Sequence, residues 1–110
     1  MEEIEERNDK GQLIYHKDSD GDESWIKYND AGQIIHYRDS DGYQEWSDYN
    51  KQGLETHFKD SDGYESWSKY DDHGNEIYTK DTNGYEAWKK HNDQGDVIHY
   101  KDSNGVEKSY

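Results

Sequence analysis

The chain contains no cysteine and no proline, and a single methionine and a single phenylalanine among its 110 residues. Without cysteine, no disulfide framework can hold it, which excludes the bridge-stapled secreted scaffolds. No apolar run approaches the length of a membrane span. The opening Met1–Arg7 is acidic and has no apolar core of signal-peptide length. The expectation is a soluble, cytoplasmic protein that does not engage a membrane. Apolar residues are also scarce, 27% against 36% charged, a balance that by composition leans towards disorder. What argues for a fold is the 15% aromatic content and its strict placement. A chain of this length is expected to form one domain with a thin core. The net charge is −14, which disfavours direct binding to nucleic acid or anionic lipid and favours a basic partner.

What the chain does have is rhythm. Its ten glycines fall at alternating spacings of 10 and 11, a period of 21 residues with two glycines in each. Each glycine closes a turn-like tetrapeptide. One kind is Asp-Ser-Asp-Gly at 18–21, 39–42 and 60–63, becoming Asp-Thr-Asn-Gly at 81–84 and Asp-Ser-Asn-Gly at 102–105. The other begins with Asn or Asp: Asn29–Gly32, Asn50–Gly53, Asp71–Gly74 and Asn92–Gly95. Asp and Asn start turns by bonding back to the backbone, and glycine supplies the positive φ that ends them. The six or seven residues between turns are of strand length and too few for a stable helix. The predicted architecture is all-β: a single-layer twisted antiparallel meander of about eleven strands. The repeats run 8–28, 29–49, 50–70 and 71–91, after a half repeat 1–7 and before a partial capping repeat 92–110, in which Val106 and Ser109 stand at the Tyr and Trp positions.

Parity sharpens the register. For an odd period, each face recurs only if the two loops together hold an odd number of residues. A three-residue loop with a glycine bulge is therefore assigned to Ser-Asp-Gly, and a four-residue loop to Asn-x-x-Gly. The first sets Lys17 opposite Glu23, Arg38 opposite Gln44, Lys59 opposite Glu65, Lys80 opposite Glu86 and Lys101 opposite Glu107. It also pairs Tyr15 with Trp25, His36 with Trp46, His57 with Trp67 and Tyr78 with Trp88 on one face. The other face is expected to carry Ile14, Ile35, Ile77 and Ile98 with Tyr37, Phe58, Tyr100, Tyr43, Tyr64 and Tyr85.

The unit Tyr70-Asp71-Asp72-His73-Gly74-Asn75, followed by Asp81-Thr82-Asn83-Gly84 and His91-Asn92, is similar to the tyrosine–aspartate repeats of Rhs-type and teneurin shells. The resemblance covers nearly the whole chain and implies β-hairpins of the kind that spiral into hollow shells. Most Tyr-Asp pairs are here Tyr-Asn or His-Asn, and a Trp is fixed in four repeats. The resemblance implies no catalytic residues. Small free-standing proteins built this way also resemble bacterial or prophage accessory products, among them immunity proteins and anti-CRISPR inhibitors.

Metal and catalytic readings of the motifs are weaker than structural ones. A calcium loop wants Asp-x-Asp-x-Asp-Gly and a later Glu, whereas here glycine directly follows the second Asp of Asp18/Asp20, Asp39/Asp41 and Asp60/Asp62. His36, His57 and His99 occupy one position of the repeat, and equivalent strands of successive repeats lie roughly 9.6 Å apart, too far for these histidines to share a zinc ion. No phosphate loop or nucleophile triad interrupts the pattern. Neither enzyme activity nor a cofactor or metal is expected. The Trp row could stack nucleobases, but a basic groove would be needed beside it.

The expected function is therefore binding. Asp18, Asp20, Asp39, Asp41, Asp60, Asp62 and Asp81 would rank carboxylates along one edge of a sheet roughly 48 Å long, about the span of 14 base pairs of duplex. Such a protein would inhibit a basic nucleic-acid-handling partner, a nuclease or CRISPR effector, by mimicry, with Tyr43, Tyr64, Trp46 and Trp67 adding contact area. The alternative is an interaction or structural β-repeat module that uses its Trp/Tyr face. Homodimers formed by pairing of sheets stay open.

Overall fold

A computed structural model describes residues 2–110. Eleven strands, β1 (Ile4–Arg7), β2 (Leu13–Lys17), β3 (Glu23–Tyr28), β4 (Ile34–Asp39), β5 (Gln44–Tyr49), β6 (Glu55–Asp60), β7 (Glu65–Tyr70), β8 (Glu76–Asp81), β9 (Glu86–His91), β10 (Val97–Asp102) and β11 (Glu107–Ser109), join in one sheet in chain order. The strand pairs described are antiparallel. The architecture is the single-layer meander that the spacing of turns predicts. The chain divides into two compact units, one reaching to Ser47 and including Lys59–Asp62, the other comprising Asp48–Phe58 and Gly63–Tyr110.

The turns are built by their first residue. In the Asp81 turn, Oδ1 accepts the N–H groups of Asn83 at 2.9 Å and Tyr85 at 3.3 Å. The Asp81 carbonyl accepts the N–H of Gly84 at 3.2 Å, and its own N–H donates to Tyr85 at 3.0 Å. Gly84 sits at φ +86°, a region that side chains make costly. The hydroxyls of the same turns have a second use. Ser40, Ser61, Thr82 and Ser103 each accept the N–H of the residue 17 earlier, at 2.9 to 3.2 Å, and their N–H groups return a bond to that residue's carbonyl. Each tip is thereby fastened to the next strand over.

The register after Asp-Ser-Asp-Gly is the expected one: Lys17 faces Glu23, Arg38 faces Gln44, Lys80 faces Glu86 and Lys101 faces Glu107. The other turn differs from expectation. Asn29 Oδ1 accepts the N–H groups of Ala31 and Gln33, and Asn29 N–H donates to the Gln33 carbonyl at 2.9 Å. Asn and Asp oxygens have the same reach, so both kinds of turn enclose three residues. Parity is restored inside the strands. Lys27 pairs with His36 but Tyr28 pairs with Ile34, leaving Ile35 as the extra residue of a β-bulge. Ile14, Ile77 and Ile98 are skipped in the same way.

No second layer covers either face. Among the described residues, Ala87 at 2% exposure is the one buried apolar residue and Asp102 the one buried charged residue. Tyr100 O–H donates to the Asp102 carboxylate at 2.7 Å, and the N–H groups of Asn104 and Val106 bond its other oxygen. Among the described residues, no buried side-chain polar atom lacks a partner. Asp81→Ala removes the acceptor of two N–H groups and should lower stability by about 1–2 kcal/mol. Asn83→Ala, in the same turn, should stay within about 0.5 kcal/mol of wild type. Urea unfolding of both variants measures the difference.

Candidate functional site

Because side chains alternate along a strand, the register places each tryptophan in a cross-strand rung. In the first unit, Glu6 faces Tyr15, Tyr15 faces Trp25, Trp25 faces Arg38, and Arg38 faces Gln44. The Tyr15 and Trp25 rings are 5.7 Å apart, and the Arg38 guanidinium lies 4.3 Å from the centre of the Trp25 ring. The next rung runs Lys27, His36, Trp46. His36 stacks on Trp46 at 5.5 Å, and Lys59 Nζ lies 6.0 Å from the Trp46 ring. In the second unit, His57 stacks on Trp67 at 5.5 Å, and Trp67 faces Lys80. Lys69, Tyr78, Trp88 and Lys101 form the rung after it, with the aromatic rings 5.8 Å apart. Each Trp thus has an aromatic or imidazole ring on one side and a cation on the other, an arrangement that aromatic quadrupoles favour.

Four carboxylates of this face are engaged within it. Tyr15 O–H donates to Glu23, Tyr78 O–H donates to Glu86 at 2.7 Å, His57 Nε2 bonds Glu65 at 2.7 Å, and His99 Nε2 pairs with Glu107 at 3.2 Å. His36 Nε2 meets the Gln44 amide oxygen at 3.0 Å. The bond to Glu23, with burial and nearby charge, pushes the Tyr15 hydroxyl up to about 12.

The acidic residues expected to bind a partner divide by role. Asp18, Asp39 and Asp81 each accept two backbone N–H groups on Oδ1, and Asp60 accepts that of Asp62. The tips Asp20, Asp41 and Asp62 are exposed. Tyr43 lies against Tyr37 at 6.4 Å and Tyr64 against Phe58 at 6.1 Å. By alternation these tyrosines sit on the face opposite Trp46 and Trp67, so the two aromatic sets form separate surfaces. Trp46, Trp67 and Trp88 are 39%, 36% and 40% exposed.

Two open grooves, one in each unit, form beside the bulges. A groove of about 630 Å³ is lined by Ile14, Ile26, Ile35, Tyr28, Trp25 and Lys27 with Asp9 and Asp30, and one of about 540 Å³ by Ile77, Ile98, Trp88, Lys89, Lys90 and His91 with Asp71. The bulge isoleucines line both. A separate pocket of about 220 Å³ gathers Asp18, Asp22, Glu23, Asp39 and Asp41, and the neighbouring carboxylates, Asp18 foremost, hold Asp22 above the usual carboxylate range. Glu3, Glu5 and His16 bring ligand atoms within 4.8 Å of one another, although His16 is already bonded to Glu3 and Glu5 to Arg7, both at 3.0 Å. Sequence reasoning missed the cations set against the tryptophans and the hydroxyls that fasten the turns. The constant Lys/Arg one residue before each Asp turn was the available signal for the first, and the constant Ser/Thr after that Asp for the second.

No family model matches the chain, and no curated protein matches it. Solved structures do. A stretch of a chain in a TcdB2–TccC3–TEV structure matches with a TM-score of 0.74 over 98% of this chain and 6% of that one, at 14% identity. A Tc holotoxin pore of Photorhabdus luminescens carrying a TccC3 mutation matches with 0.71 over 92% and 5%, also at 14% identity. A TcdB2–TccC3–Cdc42 structure matches with 0.70 over 91% and 5%, again at 14% identity. The chain therefore spans about one twentieth of the chains it is similar to, and the likeness is one of fold. The shared fold is the antiparallel hairpin meander.

The rungs titrate. The bond to Glu65, then that to Asp48, raises His57 above its ordinary value against the opposing effect of burial, and Glu3 does the same for His16. Raised folded values favour the imidazolium in the fold. The stabilisation is complete below about pH 6.5 and is lost as pH rises through the folded values. The melting temperature should fall as pH rises above about 6.5, and His57→Gln should flatten that slope.

Proposed function

We propose that this chain is a structural and docking module: a repeat-built sheet that holds a ladder of tryptophans for a protein partner, binding rather than catalysing. The observation that carries the reading is the exposure of Trp46, Trp67 and Trp88, at 36–40%, on a face with no layer over it. Trp, Tyr and Arg dominate binding hot spots, and Arg38 sits on Trp25. The neighbours of like fold lend support as well, since the same hairpin meander occurs there as a small part of chains crystallised in complexes.

A second reading rests on the exposed tips Asp20, Asp41 and Asp62 and the net charge of −14. In it the chain is a cytoplasmic inhibitor of a basic nucleic-acid-handling protein, of the immunity or anti-CRISPR kind, and its carboxylates stand in for phosphates. The two readings differ under mutation. With a partner captured from host lysate and the variants shown to be folded, the docking reading expects Trp67→Ala to weaken binding by about 2 kcal/mol or more, and Asp41→Asn with Asp62→Asn to do little. The mimicry reading expects the reverse, together with an affinity that falls steeply as salt rises.

A further inference from the structure

The charge on the tryptophan face does not follow the charge of the chain. By alternation from each Trp, the first unit sets Lys17, Lys27, Arg38 and Lys59 on this face against Glu6 and Glu23. The second sets Lys69, Lys80, Lys90 and Lys101 against Asp48, Glu65, Glu86 and Glu107. Eight of the thirteen Lys and Arg residues thus share the Trp face, while most of the acids lie in the turns and on the other side. The carboxylates of this face are also largely committed: Glu23, Glu65, Glu86 and Glu107 are bonded to Tyr15, His57, Tyr78 and His99. Lys27, Lys80, Lys90 and Lys101 are exposed, and their ammonium groups make no hydrogen bond or ion pair among the described residues. What the face offers outward is cation beside indole.

We propose, building on the docking reading above, that the partner presents to this face an extended segment in which carboxylates alternate with apolar side chains. In an extended strand, alternate residues project on one side at about 6.6–6.8 Å. A Trp and the cation on the next strand are about 4.8 Å apart. An apolar side chain set on the indole therefore brings a carboxylate two residues away within reach of the lysine beyond it.

The test uses the intact chain and three probes: a capped peptide of three glutamates and three phenylalanines separated by serines, its counterpart with lysine for every glutamate, and single-stranded oligothymidylate. Binding is read by tryptophan fluorescence and by calorimetry. The glutamate peptide should bind and the lysine peptide should not. K90M with K101M, which keeps the aliphatic stems and removes the charges, should weaken the glutamate peptide about tenfold. Asp41→Asn with Asp62→Asn should leave it unchanged or tighten it. Stronger binding of the lysine peptide, binding of oligothymidylate alone, or binding of none of the three would each overturn the acidic partner. If the lysine peptide binds and Trp88→Ala abolishes that binding, the docking face survives and only the partner chemistry falls. If peptide binding ignores Trp88→Ala but is lost with the aspartates, the docking face falls too.

Discussion

A sheet one layer thick has to find within that layer what other proteins take from a core. Here the supply is the cross-strand rung: an imidazole or phenol ring against an indole, the indole against a guanidinium or ammonium, and a carboxylate bonded back to the first ring. Each contact is modest, roughly 0.5–1.5 kcal/mol for an aromatic pair and about 0.5–1 kcal/mol for an exposed cation over a ring. The repeat multiplies them. The turns make this possible, because an Asx oxygen holding two N–H groups and a hydroxyl tied to a neighbouring strand keep the rungs in register without a second layer to press on them.

The same economy shapes the surface. With so few apolar residues, the chain cannot hide its tryptophans, and stacking them with cations leaves them half covered. The acids go to the turns, where the first Asp is consumed as a structural acceptor and the third position is left to solvent. An acidic protein thereby acquires a face on which positive charge is concentrated around indole rings. The net charge of the whole does not describe that face, and this is why the tryptophans and the acidic tips lead to different kinds of partner.

Much of the fold was legible in the residues. The glycine rhythm fixes the number and order of strands, and Tyr15–Trp25, His36–Trp46 and Tyr78–Trp88 face each other as the Asp-Ser-Asp-Gly register requires. The second register was not legible. Parity counts an odd residue without saying where it goes, and Ile35 in a bulge carries no local mark that separates it from Ile35 in a regular strand. A four-residue loop at Asn29 would set Trp25 opposite His36; the bulge sets it opposite Arg38, and that shift of two residues is what brings the cations to the indoles. The committed state of Glu23, Glu65 and Glu86 was hidden for a different reason. Pairing along strands put Lys17 and Lys80 opposite two of them, whereas the side chains of Tyr15, His57 and Tyr78 reach diagonally to take the bond.

The claim beneath all of this is that the rungs carry stability that a core would otherwise provide. A double-mutant cycle on Tyr78 and Trp88, each changed to Ala singly and together and followed by urea unfolding, measures it directly. The account predicts a favourable coupling of about 0.5–1.5 kcal/mol between the two positions. Losses that simply add, with coupling near zero, would show that the rings sit side by side without holding the sheet together.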